Sequence, residues 1–132
     1  MQQHLARIAI LVRDYDEAID FFVQKMGFTL LEDTPRSPTK RWVAVAPPGQ
    51  PECSLLLAKA KNEEQAQYIG KQGGGRVFLF LHTDDIQRDY KQWLAAGVYF
   101  EEAPRQEDFG TGAIFQDLYG NRWELIEQKT DR

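Results

Sequence analysis

Six side chains in this sequence have the chemistry of a binding or reacting site: Arg7, Trp42, Phe78, Phe80, His82 and Glu124. Arg7 interrupts an otherwise apolar run over residues 5–12, where a forked guanidinium would anchor a carboxylate or phosphate. Its structural alternative is an arginine that snorkels off the strand end or locks onto Glu124. Glu124 is a candidate general base. His82, one of two histidines, would serve as acid or base near neutral pH, or else as hydrogen-bonded scaffold. Trp42, beside Lys40 and Arg41, would stack a planar ligand next to a cation, or pack at a rim. Phe78 and Phe80 offer flat apolar walls. Tyr68, in the bridge over residues 61–75, and Phe109, in a segment expected to be a loop, would close over a mouth or tether those segments. His4 lies three residues from Arg7, hence on the opposite face of an extended chain, and receives no role.

Strand alternation decides which of these side chains share a face. With Arg7 inward, Ala9 and Leu11 accompany it, and Ile8, Ile10 and Val12 pack against helices. Arg76, Phe78, Phe80 and His82 then face a cavity, while Val77, Leu79 and Leu81 pack away from it. Arg7 and Glu124 are expected to pair, since neither charge tolerates burial alone.

The elements that position these residues follow from one pattern written twice. Residues 8–33 and 79–102 each run apolar strand, Asp, amphipathic helix, Gly, short strand. Asp14 and Asp85 lie 71 residues apart, Gly27 and Gly97 only 70, so the second helix is one residue shorter. Asp14 with Glu17 three residues on is a capping-box pattern. Tyr15, Ala18, Ile19, Phe22 and Met26 form an apolar stripe, as do Ile86, Tyr90, Trp93 and Leu94. Strands are expected at 5–12, 28–32, 41–46, 54–58, 76–83, 99–102, 111–116 and 122–127. A turn is expected at 47–52, a short helix at 62–69 and a loop at 103–110. Gly-Asn at 120–121 supplies turn chemistry for the final hairpin.

At 132 residues the chain suits a single domain of two repeated modules, about 5–60 and 76–128, bridged by 61–75. Its net charge of −4, with both signs dispersed, argues against a nucleic-acid surface. No apolar run is long enough to span a bilayer, and the N-terminus lacks a leader pattern, so a cytoplasmic location is expected. A lone cysteine, Cys53, excludes an intrachain disulfide and reads as a small packing residue. Gly73 to Gly75 precede a strand with no Lys-Ser/Thr after them, so they are not a phosphate loop. No serine sits on a nucleophile-like turn.

Paired β-α-β-β-β modules resemble the vicinal oxygen chelate superfamily, which includes glyoxalase I, extradiol dioxygenases and fosfomycin- and bleomycin-resistance proteins. The resemblance rests on Ile10-x-Val12-x-Asp14, on Asp84-Asp85, and on Asp117-x-x-Gly120-Asn121-x-x-Glu124-Leu125. It implies an α+β fold in which the two modules form an eight-stranded curved sheet around a cavity. Metal-using relatives take ligands from the first and last strands of each module. Here Arg7 and Phe78 stand at the first-strand positions, residues 54–58 carry no ligand side chain, and only Glu124 survives. One carboxylate does not hold a catalytic divalent ion.

The expected function is therefore metal-free, cofactor-free binding of a small anionic or aromatic organic molecule by a homodimer without nucleic-acid or membrane partners. The alternative is a lyase, isomerase or dioxygenase of the same superfamily that uses Glu124 or His82, with or without a divalent metal.

Overall fold

Asp14 and Asp85 both do what their place in the repeat requires. In a computed structural model, which describes residues 1–49 and 52–129, each takes an extended backbone and caps a helix. The Asp14 carboxylate accepts from the Glu17 amide at 2.9 Å, and that of Asp85 from the Arg88 amide at 3.0 Å. Gly27 and Gly97 end the two helices at φ of 78° and 95°, where a side chain would be strained.

The residue that makes the first copy longer is taken up inside its helix. The α-helix α1 (Tyr15–Ile19) widens into a π-helix over Asp20–Lys25, whereas α3 (Ile86–Ala95) stays α-helical. A π-segment absorbs one extra residue without moving the helix ends. The cap and the terminal glycine thus keep equivalent places in both copies, where one regular helix had been expected in each.

The chain divides into two compact units, Met1–Ile69 and Gly70–Arg132. The first holds a four-stranded sheet of order β1-β4-β3-β2, from β1 (Arg7–Val12), β2 (Thr29–Pro35), β3 (Arg41–Ala46) and β4 (Ser54–Lys59). The β1–β4 pair is parallel and the others antiparallel. A short helix, α2 (Glu63–Ala66), follows, capped by Asn62. In the second unit β5 (Val77–His82) pairs in parallel with β9 (Arg122–Gln128). β8 (Gly110–Gln116) lies between β9 and the short strands β6 (Tyr99–Phe100) and β7 (Arg105–Glu107). The strand order matches that of the first sheet, which is the structural form of the repeat.

Nine strands are thus present among the described residues, one more than expected. The addition is β7, inside the segment expected to be a loop; Arg105, Gln106 and Glu107 pair with Gly112, Thr111 and Gly110. In the turn expected at 47–52, residues 50 and 51 lie outside the described residues.

Each sheet buries one face. In the first unit Ile10, Val12, Val43, Val45 and Leu57 have no exposure, and Tyr15, Ala18, Phe21 and Phe22 of the helix are buried with them. In the second, Trp93 meets Phe115 at a centroid distance of 5.3 Å, and Phe115 stacks on Trp123 at 5.6 Å. Arg7 on β1, and Phe80 and His82 on β5, remain exposed, as the alternation requires.

The motif Asp117-x-x-Gly120-Asn121 is a clasp for the β8–β9 turn. The buried Asp117 carboxylate accepts from the amides of Tyr119 and Asn121, from Asn121 Nδ2 and from Trp123 Nε1, all at 3.0–3.1 Å. Burial pushes its pKa up despite these four donors. Among the described residues no helix is long and apolar enough to cross a membrane.

Candidate functional site

In the first unit the open sheet face is built around Trp42. Register places Arg7, Ala9 and Leu11 of β1 beside Ser54, Leu56 and Ala58 of β4. Ala44 of β3 pairs with Leu56, so Trp42, two residues earlier, is on the same face. The guanidiniums of Arg7 and Arg36 each stand over the Trp42 ring, 5.7 Å from its centroid. A cation–π contact of this kind contributes about 0.5–1 kcal/mol at an exposed site. Among the described residues of its own unit Arg7 makes no ion pair, and Arg36 makes only a long one of 3.7 Å with Glu32. Two cations thus flank an indole on a face to which β1 and β4 bring small and apolar side chains and β2 brings Glu32 and Thr34.

Arg41, expected to add a cation beside Trp42, is already engaged by two carboxylates. Its guanidinium grips Asp33 through two nitrogens at 2.7 and 3.0 Å and Asp16 at 2.9 Å, and lies over the Tyr15 ring. Asp33 is held below the usual carboxylate range, chiefly by that hydrogen-bonded guanidinium. Arg41 therefore ties β3 to β2 and to the start of α1. Lys40 carries no such commitment among the described residues of this unit.

In the second unit Phe80 pairs with Glu124 across β5 and β9, and His82 with Ile126. Phe80, His82 and Glu124 share a face, as alternation implied, but the register shifts between Val77 and Leu79, which interrupts the alternation at Phe78. Within its own unit Glu124 makes an ion pair with Arg105. Arg105 Nη2 lies 2.5 Å from Glu124 Oε2, and the same guanidinium binds Glu107 at 2.9 Å and the Glu102 carboxylate. Burial alone would lower the pKa of Arg105, but the hydrogen bonds and charges of Glu124, Glu107 and Glu102 outweigh it and raise the value. Arg105 was missed because residues 103–110 had no strand pattern. The available signal was local: Glu102 and Glu107 lie three residues before it and two after.

The duplication makes the two faces directly comparable. Ala9 and Phe80 are equivalent, so their partners Leu56 and Glu124 are equivalent too. Likewise Ala44 matches Ile114, and Trp42 matches Gly112. Where the first unit places an indole, the second has no side chain, and a Cβ there would come within 2.8 Å of Glu124 Oε2 and 3.3 Å of the Phe109 ring. Phe109 and the Glu124 carboxylate fill that space, so Phe109 belongs to this face. Tyr68 is half exposed and gains no role.

The positions at which metal-using relatives carry ligands are therefore occupied by Arg7, Leu56, Phe78 and Glu124. Three cannot donate to a cation, and the fourth is neutralised by Arg105. Among the described residues no group of three or more His, Cys, Asp or Glu is placed to hold a metal ion. These residues do not fit a catalytic divalent ion, and no step is derived through one.

The comparisons with known proteins agree with this architecture. The model of the Glyoxalase/Bleomycin resistance protein/Dioxygenase superfamily matches residues 4–125. An uncharacterized protein of Shewanella frigidimarina is 53% identical over 128 residues, 96% of this chain and 95% of that one. The crystal structure of UcmS2 is similar with a TM-score of 0.82 and 32% identity, over 95% of this chain and 98% of that one. TnmS3, described as an antibiotic-binding protein from Streptomyces sp. CB03234, is similar with a TM-score of 0.79 and 30% identity, over 97% and 98%. With a repeated β-α-β-β-β unit, matching sheet orders and a family model that spans nearly its whole length, the chain belongs to the glyoxalase/bleomycin resistance protein/dioxygenase superfamily.

Proposed function

We propose that this chain binds a small aromatic organic molecule, preferentially an anionic one, without a metal and without chemistry. The observation that carries the reading is Trp42 with Arg7 and Arg36 over its ring, beside the small and apolar side chains that β1 and β4 contribute to the same face. An indole offers a stacking surface of low conformational cost, and the two guanidiniums offer forked donors for an anionic substituent. The description of TnmS3 as antibiotic-binding supports the choice of a small-molecule ligand. Proton transfer has less support. A Glu124 oxygen is already occupied by the Arg105 guanidinium, and His82 is exposed with no carboxylate to orient it among the described residues of its unit.

The test is a panel of flat aromatic compounds, neutral and anionic, followed by thermal shift and calorimetry in the presence of EDTA. Trp42→Ala should abolish binding. Arg7→Met should weaken the anions by about ten-fold, as loss of one charge-assisted hydrogen bond implies, and leave the neutral compounds unchanged. Binding that requires a divalent ion, or that is indifferent to Trp42→Ala, overturns the reading. We also propose that the protein works as a homodimer; sedimentation as a monomer alone at tens of micromolar would refute that part.

A further inference from the structure

Four cations and no carboxylate line one cleft of a chain whose net charge is −4. The cleft lies wholly within the first unit and has a volume of about 560 Å³. That is within the ordinary range for pockets that take small organic ligands. Trp42 and Tyr15 supply aromatic surface, and Leu56, Leu57, Ala58 and Ala60 an apolar floor. The cations are Lys40, Arg41, Lys59 and Lys61. Trp42 thus belongs both to the open sheet face and to this cleft.

The kind of cation selects the kind of anion. Arg41 is the one fork among the four, and it is already engaged by Asp33 and Asp16. A planar carboxylate that seeks bidentate donors finds none here. Lys40, Lys59 and Lys61 make no ion pair among the described residues of this unit. Three like charges at one cleft repel one another, and a multiply charged anion relieves them best. Ammoniums act as compact point charges that suit a tetrahedral group approached from several sides. Hydroxyl donors are at hand as well. Ser37 and Thr39 line the cleft, and Ser37 Oγ accepts from the amides of Thr39 and Lys40 at 3.2 and 3.0 Å, which leaves its O–H to donate.

We infer that this cleft takes an aromatic phosphomonoester, its ring against Trp42 and its phosphate among Lys40, Lys59 and Lys61. A phosphomonoester carries a charge of about −1.5 to −2 at pH 7, more than any single carboxylate. The inference rests on the reading of Trp42 as the aromatic-binding side chain and names the ligand class for it.

Calorimetry on the full chain with 1-naphthyl phosphate, 1-naphthol, 1-naphthoate and inorganic phosphate tests it. The phosphate ester should bind at least about ten-fold tighter than the other three, the effect of one or more charge-assisted hydrogen bonds. Lys59→Ala combined with Lys61→Ala should remove most of that advantage, and Lys40→Ala part of it. All three lysines are exposed, so the variants should fold as the wild type does, which their thermal melts verify. Equal affinity for the three naphthyl compounds, still lost in Trp42→Ala, overturns the phosphate class and leaves aromatic binding intact. Tight ester binding that is indifferent to all the lysine variants overturns the cleft. Failure of every naphthyl compound to bind overturns both this inference and the binding reading beneath it.

Discussion

Arg105 on β7 reaches diagonally across β8 to Glu124 on β9, and the two side chains meet at 2.5 Å. Gly112 lies beneath the pair and has no side chain to obstruct it. The carboxylate that the fold retains at a ligand position is thereby converted from a potential metal donor into half of an ion pair. Arg105→Met should leave Glu124, only 11% exposed, without its counter-charge. The expected loss is about 1–3 kcal/mol, toward the lower end because Arg105 itself is a third exposed. Urea unfolding of Arg105→Met, Glu124→Gln and the double variant measures it. If the two losses simply add, the pair is not coupled and this account of Glu124 fails.

Gly112→Ala should be disproportionately costly for so small a change. The new methyl would sit 2.8 Å from Glu124 Oε2 and 3.3 Å from the Phe109 ring. Overpacking of this kind costs about 1–3 kcal/mol. Truncation of Phe109 to Ala in the same chain removes one of the two clashes and should recover part of the loss. A neutral Gly112→Ala variant would mean that the carboxylate and the ring have room to move away.

Asp117 should make stability depend on pH in an unusual direction for a carboxylate. Burial raises its folded-state pKa above the ordinary aspartate value of 3.8, so the folded chain holds this proton more tightly than the unfolded chain. Its contribution therefore weakens as pH rises from 3.8 to the folded value and is level beyond it. Asp117→Asn removes that dependence. The stability of wild type relative to the variant should fall as pH rises through this window, a trend read from denaturant melts at matched ionic strength. A difference that rises with pH would contradict the burial argument.

The π-segment Asp20–Lys25 should tolerate the loss of one residue, because it is the place where one was gained. Deletion of the exposed Gln24 should leave a cooperatively folded protein with helix content near that of wild type. Deletion of Gln92 in α3 should not, since that helix has no surplus turn to draw in before Gly97. Circular dichroism and thermal melts of the two deletions compare them directly, and equal damage from both would refute this origin of the π-segment.

The repeat, the helix caps, the terminal glycines and the exposed face of each first strand were legible in the amino-acid order alone. All of them are set by neighbours within a few residues: an Asp that accepts from an amide three residues on, a Gly that takes a positive φ, side chains that alternate along a strand. The same locality made Trp42 readable as an aromatic candidate and Phe80 and His82 readable as residues of one strand face. What the order of residues left open were the partners. Arg105 reaches Glu124 only because β7 forms and Gly112 leaves the space empty, and neither follows from the pattern of residues 103–110. Arg41 looked like a free rim cation beside Trp42 until β2 and the start of α1 brought Asp33 and Asp16 to it. The extra residue of the first helix was countable, but whether it would lengthen a loop or widen the helix depended on two ends already held in place by packing. Charge pairing is decided by distances between segments far apart in the chain, and those distances exist only once the sheets have assembled.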